Sequence, residues 1–177
     1  MSKKIAIAGK GGVGKTTTSG LIIRNLIDNN KGTVLALDAD PNSNLNEVLG
    51  VKVSSTIGMI REDFKKNAPR MTGGIFKDQM VEMNVHQALV ESASFDLLVM
   101  GRGEGPGCYC AANSLLTDFL DKLSDNYPFI VMDNEAGMEH ISRLTTKNVD
   151  ILLIVADASR RGLQAAVRIE DLAKCLN

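Results

Sequence analysis

The sequence predicts an α/β fold, a doubly wound and mostly parallel sheet with helices on both faces. Three observations predict it. Short apolar runs of strand length alternate with stretches of helical periodicity along the chain. Most runs are apolar on both faces, as expected for the central strands of a parallel sheet. Three of the runs end in aspartate, at the carboxyl edge where parallel strands present ligand-binding groups.

The strands fall at residues 4–8, 33–38, 95–100, 129–133 and 151–157. The run from Ile151 to Ala156 is expected to be a buried strand by its length. Helical periodicity spans residues 16–27, with Leu21, Ile22, Leu26 and Ile27 on one face. It returns at 113–123, with Leu115, Leu116, Phe119, Leu120 and Leu123. It returns again at 161–176, with Leu163, Ala166, Val167, Ile169, Leu172 and Leu176. Residues 50–94 are expected to hold two or three helices carrying Met59, Met71, Met80 and Met83, with core filling favoured over an adaptable partner surface. There is no internal repeat, low-complexity tract or linker, so residues 1–177 are expected to form one domain. A doubly wound nucleotide-binding sheet usually has another strand after its last helix. The expectation is therefore a domain lacking its C-terminal part.

Hydrophobic residues make up 44% and charged residues 23%, an ordinary globular balance. A net charge of −1 gives no overall attraction to nucleic acid or anionic membrane. The apolar run Ile5 to Ala8 is too short for a signal peptide or a membrane span, and no later run is long enough, so the cytoplasm is expected. Three cysteines, an odd number, argue against a disulfide framework. Cys175 is expected to be a small buried hydrophobe on the last helix.

The run Gly9, Lys10, Gly11, Gly12, Val13, Gly14, Lys15, Thr16 matches G-x-x-x-x-G-K-[ST], between a strand and a helix. The chemistry needs glycine here because backbone N–H groups must turn inward around phosphate oxygens, where a Cβ would intrude. The helix N-terminus adds partial positive charge. Lys15 is expected on the β- and γ-phosphates, the Thr16 hydroxyl on Mg²⁺ and Thr17 on the α-phosphate of bound ATP or ADP.

Lys10 adds a second lysine inside the loop. The form Lys10 to Thr17 resembles the deviant Walker motif of the family that contains nitrogenase iron protein, the septum-site and partition ATPases and arsenite ATPase. The resemblance implies ATP hydrolysis by a face-to-face homodimer in which Lys10 touches the partner's phosphates, a cation supplied in trans. It also implies that Asp38 supports the magnesium shell and that Asp40, in Asp38-Ala39-Asp40-Pro41-Asn42, positions or activates the attacking water. Lys10, Lys15 and Asp40 are thus the expected catalytic residues. The D-x-x-x-G pattern from Asp133 to Gly137 has the form of a switch loop. Asp133 would hold the magnesium through water, and Gly137 would turn its N–H to the γ-phosphate.

The third predicted strand runs into Gly101-Arg102-Gly103-Glu104-Gly105-Pro106-Gly107-Cys108-Tyr109-Cys110, a glycine-rich loop before a helical pattern. A helix N-terminus favours thiolate, which soft metals bind. Two cysteines are half of an S₄ site. A two-fold dimer would supply four thiolates from Cys108 and Cys110, suiting tetrahedral Zn²⁺ or planar Ni²⁺. His86 and His140 are expected to be structural or on the surface.

This loop, with the segments Asp38 to Leu45 and Met132 to His140, closely resembles the CooC-type accessory ATPases of carbon monoxide dehydrogenase maturation. The resemblance implies a homodimeric, metal-binding ATPase that helps load nickel into that dehydrogenase, its expected client. Two readings stand beside it: an iron–sulfur electron-transfer ATPase, and a positioning or partition switch. The adjacent spacing of the two cysteines disfavours a four-iron cluster, which needs wider sulfur spacing.

Overall fold

The computed structural model describes residues 2–42, 44–67, 86–102, 123–136 and 149–176. In chain order these hold β1 (Lys3–Gly9), α1 (Lys15–Asp28), β2 (Val34–Asp38), α2 (Leu45–Leu49), α3 (Ile57–Asn67), β3 (Val90–Glu91), β4 (Phe95–Val99), β5 (Phe129–Asp133), β6 (Ile151–Val155) and α4 (Arg160–Leu176). The strands form one sheet in the order β3-β4-β2-β5-β1-β6. Every pairing is parallel except that of β3 with β4.

The predicted α/β sheet is present, and the five predicted strands lie within one or two residues of their expected bounds. Its interior strands are buried because both faces carry apolar side chains. Ala6, Leu35, Leu37, Leu98, Ile130 and Met132 pack on one face, against Ile57 and Ile60 of α3. Ile5, Ile7, Val34, Ala36, Leu97, Val99 and Val131 pack on the other, against Ile23 of α1 and Leu45 of α2. α4 covers the β6 side of the first face through Ile169, which clusters with Ala8, and Leu152, Ile154 and Leu172 pack against that pair. Helices therefore lie on both faces, as a doubly wound sheet requires. α2 rests on α1 at Gly20, where an added Cβ would lie only 2.4 Å from Val48 Cγ1.

Five expectations need correction. β6 is not buried: Ile151 and Leu153 are 45% and 37% exposed. It ends the described sheet, and the helix packed on it covers only the opposite face. On α1 the packed stripe runs through Ser19 and Ile23, so Leu21 points outward. On α4, Leu163 and Val167 are exposed beside the buried Ile169. Cys175 is an exposed free thiol on the last turn of α4. Met59 is exposed as well, and Met71, Met80 and Met83 lie outside the described residues, as does most of the predicted helix 113–123. Among the described residues no helix is long and apolar enough to cross a membrane.

Candidate functional site

The site forms where β1, β2, β4 and β5 end together. Register fixes this: Asp38 is the Cα partner of Asp133 on one side and of Val99 on the other, and Asp133 partners Ile7. Two carboxylates expected from distant motifs thus stand side by side, both buried.

The loop between β1 and α1 turns through left-handed backbone at Gly12 (φ 79°) and Gly14 (φ 93°), and neither position has any atom within 4 Å of where a Cβ would be. Glycine is needed there for the backbone angle, and the cradle opens onto free space of the kind a phosphate fills. Gly14 is the N-cap of α1 with no side-chain cap, so the N–H groups of the first turn are left for a ligand at the loop. Lys15 is buried, and its Nζ donates to the Lys10 carbonyl at 3.4 Å, drawing the ammonium across the loop.

Asp133 is held against α1. The Ser19 hydroxyl lies 3.1 Å from Asp133 Oδ1 and 3.0 Å from the Lys15 carbonyl. Burial pushes the Asp133 carboxyl up, while hydrogen bonds from Thr16 and Ser19 and the charge of Lys15 pull against it. Asp38 is raised to about 6, first by desolvation and further by the charges of Asp133 and Asp40, against the pull of backbone N–H groups. Asp38 Oδ2 accepts the Leu45 N–H at 3.0 Å, and Oδ1 accepts the Asp40 N–H at 3.1 Å. A pair of desolvated carboxylates beside a Thr16 hydroxyl is a donor set that suits a hard divalent cation such as Mg²⁺. These residues fit that ion.

Asp40 is half-buried at the rim, and its Oδ1 accepts both the backbone N–H and the side-chain amide of Asn42, at 2.8 and 3.0 Å. Lys10 is exposed and lines a recess of about 340 Å³ with Gly11, Ala136, Ala165 and Arg168. Asp157, beyond β6, is held below the usual carboxylate range by hydrogen bonds from Ser159 and also by the charge of Lys10. Gly11 approaches the segment after β5, since its Cβ position is 3.6 Å from Ala136 Cβ.

The structure therefore brings together Gly9, Lys10, Gly11, Gly12, Val13, Gly14, Lys15, Thr16, Thr17, Asp38, Asp40 and Asp133 at one edge. Gly137, Cys108, Cys110 and His140 lie outside the described residues, and His86 is on the surface. Among the described residues no group of three or more His, Cys, Asp or Glu is placed to hold a metal ion. Sequence reasoning passed over Ser19, Asn42, Arg102 and Asp157. Only Asp157 carried a signal, as a charged residue just past the carboxyl end of a strand.

Residues 2–176 match the family model for an AAA domain. The chain is 48% identical over 171 residues to an uncharacterized ATP-binding protein of Methanocaldococcus jannaschii, covering 96% of this chain and 67% of that one. It is 38% identical to the carbon monoxide dehydrogenase accessory protein CooC of Rhodospirillum rubrum, covering 98% of this chain and 70% of that one. The solved structure of apo McdA from Cyanothece matches with a TM-score of 0.73 at 26% identity, over 99% of this chain and 66% of that one. The chain spans about two thirds of the length of these relatives. With a complete phosphate loop, two buried strand-ending carboxylates in register and a family model matched almost end to end, the chain belongs to the AAA-domain family of P-loop ATPases.

Proposed function

We propose that this chain is a cytoplasmic, homodimeric, Mg·ATP-dependent ATPase that carries a metal ion on Cys108 and Cys110 and assists nickel insertion into carbon monoxide dehydrogenase. The observation that carries the reading is where the cysteine-bearing segment leaves the sheet. β4 ends beside Asp38, with the Met100 N–H donating to the Asp38 carbonyl at 2.8 Å, and the Cys-x-Cys follows in sequence. Identity of 38% to a carbon monoxide dehydrogenase accessory protein supports the client.

In this reading the Gly9 to Thr16 backbone and Lys15 bind and orient the triphosphate. Thr16, with Asp38 and Asp133 behind it, holds the Mg²⁺, which neutralises phosphate charge when bound. Asp40 orients water and takes its proton as the water oxygen bonds to the γ-phosphorus and the bond to the ADP oxygen breaks. Lys10 serves the partner's phosphates, and the Gly137 N–H meets the γ-phosphate. Cys108 and Cys110 of two chains give four thiolates for Ni²⁺ or Zn²⁺ as cargo.

The test is a nickel and zinc titration of anaerobic protein in its nucleotide-free, ADP-bound and ATP-bound states, with Asp40→Asn holding ATP. Asp40→Asn is expected to bind ATP and lose about 100-fold or more in turnover. One tight metal site per dimer is expected, absent in Cys108→Ser and in Cys110→Ser, with affinity differing about 5- to 150-fold between nucleotide states. Normal turnover without any thiol-dependent metal site would instead favour a positioning switch, the class suggested by the likeness to McdA.

A further inference from the structure

Arg102 stands at the exit of β4, and three contacts decide where its side chain can go. The Met100 N–H is tied to the Asp38 carbonyl, and the Met100 carbonyl accepts the Gly58 N–H, both at 2.8 Å. Gly101 then turns through left-handed backbone (φ 63°), and a Cβ there would lie 2.5 Å from Thr56 Oγ1 and 2.6 Å from Thr56 Cβ. The chain can make this turn against α3 only with glycine. The next residue is thereby directed over the loop after β2, where the Arg102 guanidinium donates to Asn42 Oδ1. The same Asn42 amide donates through Nδ2 to Asp40 Oδ1 at 3.0 Å, while its backbone N–H donates to that oxygen at 2.8 Å.

The result is a directed chain of hydrogen bonds: guanidinium to amide oxygen, amide nitrogen to carboxylate. Each link polarises the next, and the positive end fixes which side of the amide faces Asp40. An asparagine with no cation on its oxygen could turn its amide over and place an acceptor against the carboxylate. We propose that Arg102 is a positioning residue: acting through the Asn42 amide, it sets the orientation of the Asp40 carboxylate. It rests on the reading of Asp40 as the water-orienting group.

The predicted signature is a split between turnover and binding. Full-chain Arg102→Ala is expected to lose about 10- to 100-fold in kcat, the scale of a small misplacement of a reacting group. Its affinity for ATP should stay within about 2-fold, because the Arg102 guanidinium donates to Asn42, outside the phosphate cradle. Arg102→Lys should recover part of the loss, since an ammonium restores one donor but not the planar fork. Asn42→Ala should lose as much as Arg102→Ala, and the double variant no more than either, because both cut the same relay. In an Asp40→Asn background Arg102→Ala should have no further effect on kcat. Wild-type kcat in Arg102→Ala alongside a dead Asp40→Asn would overturn the relay alone. So would losses that multiply in the double variant, or a loss confined to ATP affinity. Wild-type kcat in Asp40→Asn would overturn both this inference and the reading beneath it.

Discussion

β1 has two parallel neighbours of equal length, and they live in different surroundings. β5, Phe129–Asp133, is buried from its second residue to its last. β6, Ile151–Val155, alternates between exposed and half-buried. By composition the order is reversed, since β6 is apolar throughout and β5 ends in an aspartate. The difference lies in what covers each strand. β5 sits between β1 and β2 with helices on both faces. β6 meets α4 on one face, and on the face of α1 its Ile151 and Leu153 stand open among the described residues. Burial follows position in the sheet, and an aspartate is tolerated in the dry interior where it has Ser19, Thr16 and Lys15 around it.

Matched substitutions sharpen this contrast. Ile130 of β5 is 1% exposed, and Ile130→Ala should cost about 4 kcal/mol in urea unfolding, from lost burial plus the cavity left behind. A cost under about 1.5 kcal/mol would show that the interior of the sheet relaxes freely.

The next effect is electrostatic. Asp38 titrates near 6 in the folded chain, against an ordinary value of 3.8. As pH rises between those values the unfolded chain releases this proton while the folded chain keeps it, so stability falls with rising pH. The full cost, about 3 kcal/mol, is present above pH 6. Unfolding of nucleotide-free protein in chelator, compared between wild type and Asp38→Asn at pH 4 and pH 7.5, should show the stability difference move against wild type by about that amount. A difference independent of pH would mean that Asp38 is better solvated than its burial implies. The smallest effect is expected at the edge. Ile151→Ala should cost below about 1 kcal/mol, because its side chain is already half in water.

The phosphate loop was legible in sequence because its chemistry is local: Gly12 and Gly14 do adopt the left-handed backbone that their spacing implies. Asp38 and Asp133 were legible as strand-ending carboxylates, and their register partnership follows from the predicted parallel sheet. β3 was not legible, since two residues, Val90 and Glu91, carry no periodicity. Nor was the link from Arg102 to Asn42, which are 60 residues apart and meet only because β4 and β2 are neighbours. The exposure of Leu163 and Val167 was missed for a related reason. A helical stripe wide enough to include them beside Ile169 does not reveal how much of it a two-sided sheet can cover at its margin.

Asp38 also has a consequence for the length of chain that follows it. Its two oxygens hold the N–H groups of Asp40 and Leu45, so one side chain bridges both ends of the loop and the first residue of α2. The loop is a measured span rather than a tether. Adding or removing a residue between Asp40 and Leu45 would leave one of those N–H groups out of reach or shift α2 along α1, where Val48 packs on Gly20. The length of the loop is thus fixed from inside the site, by the two oxygens of one side chain.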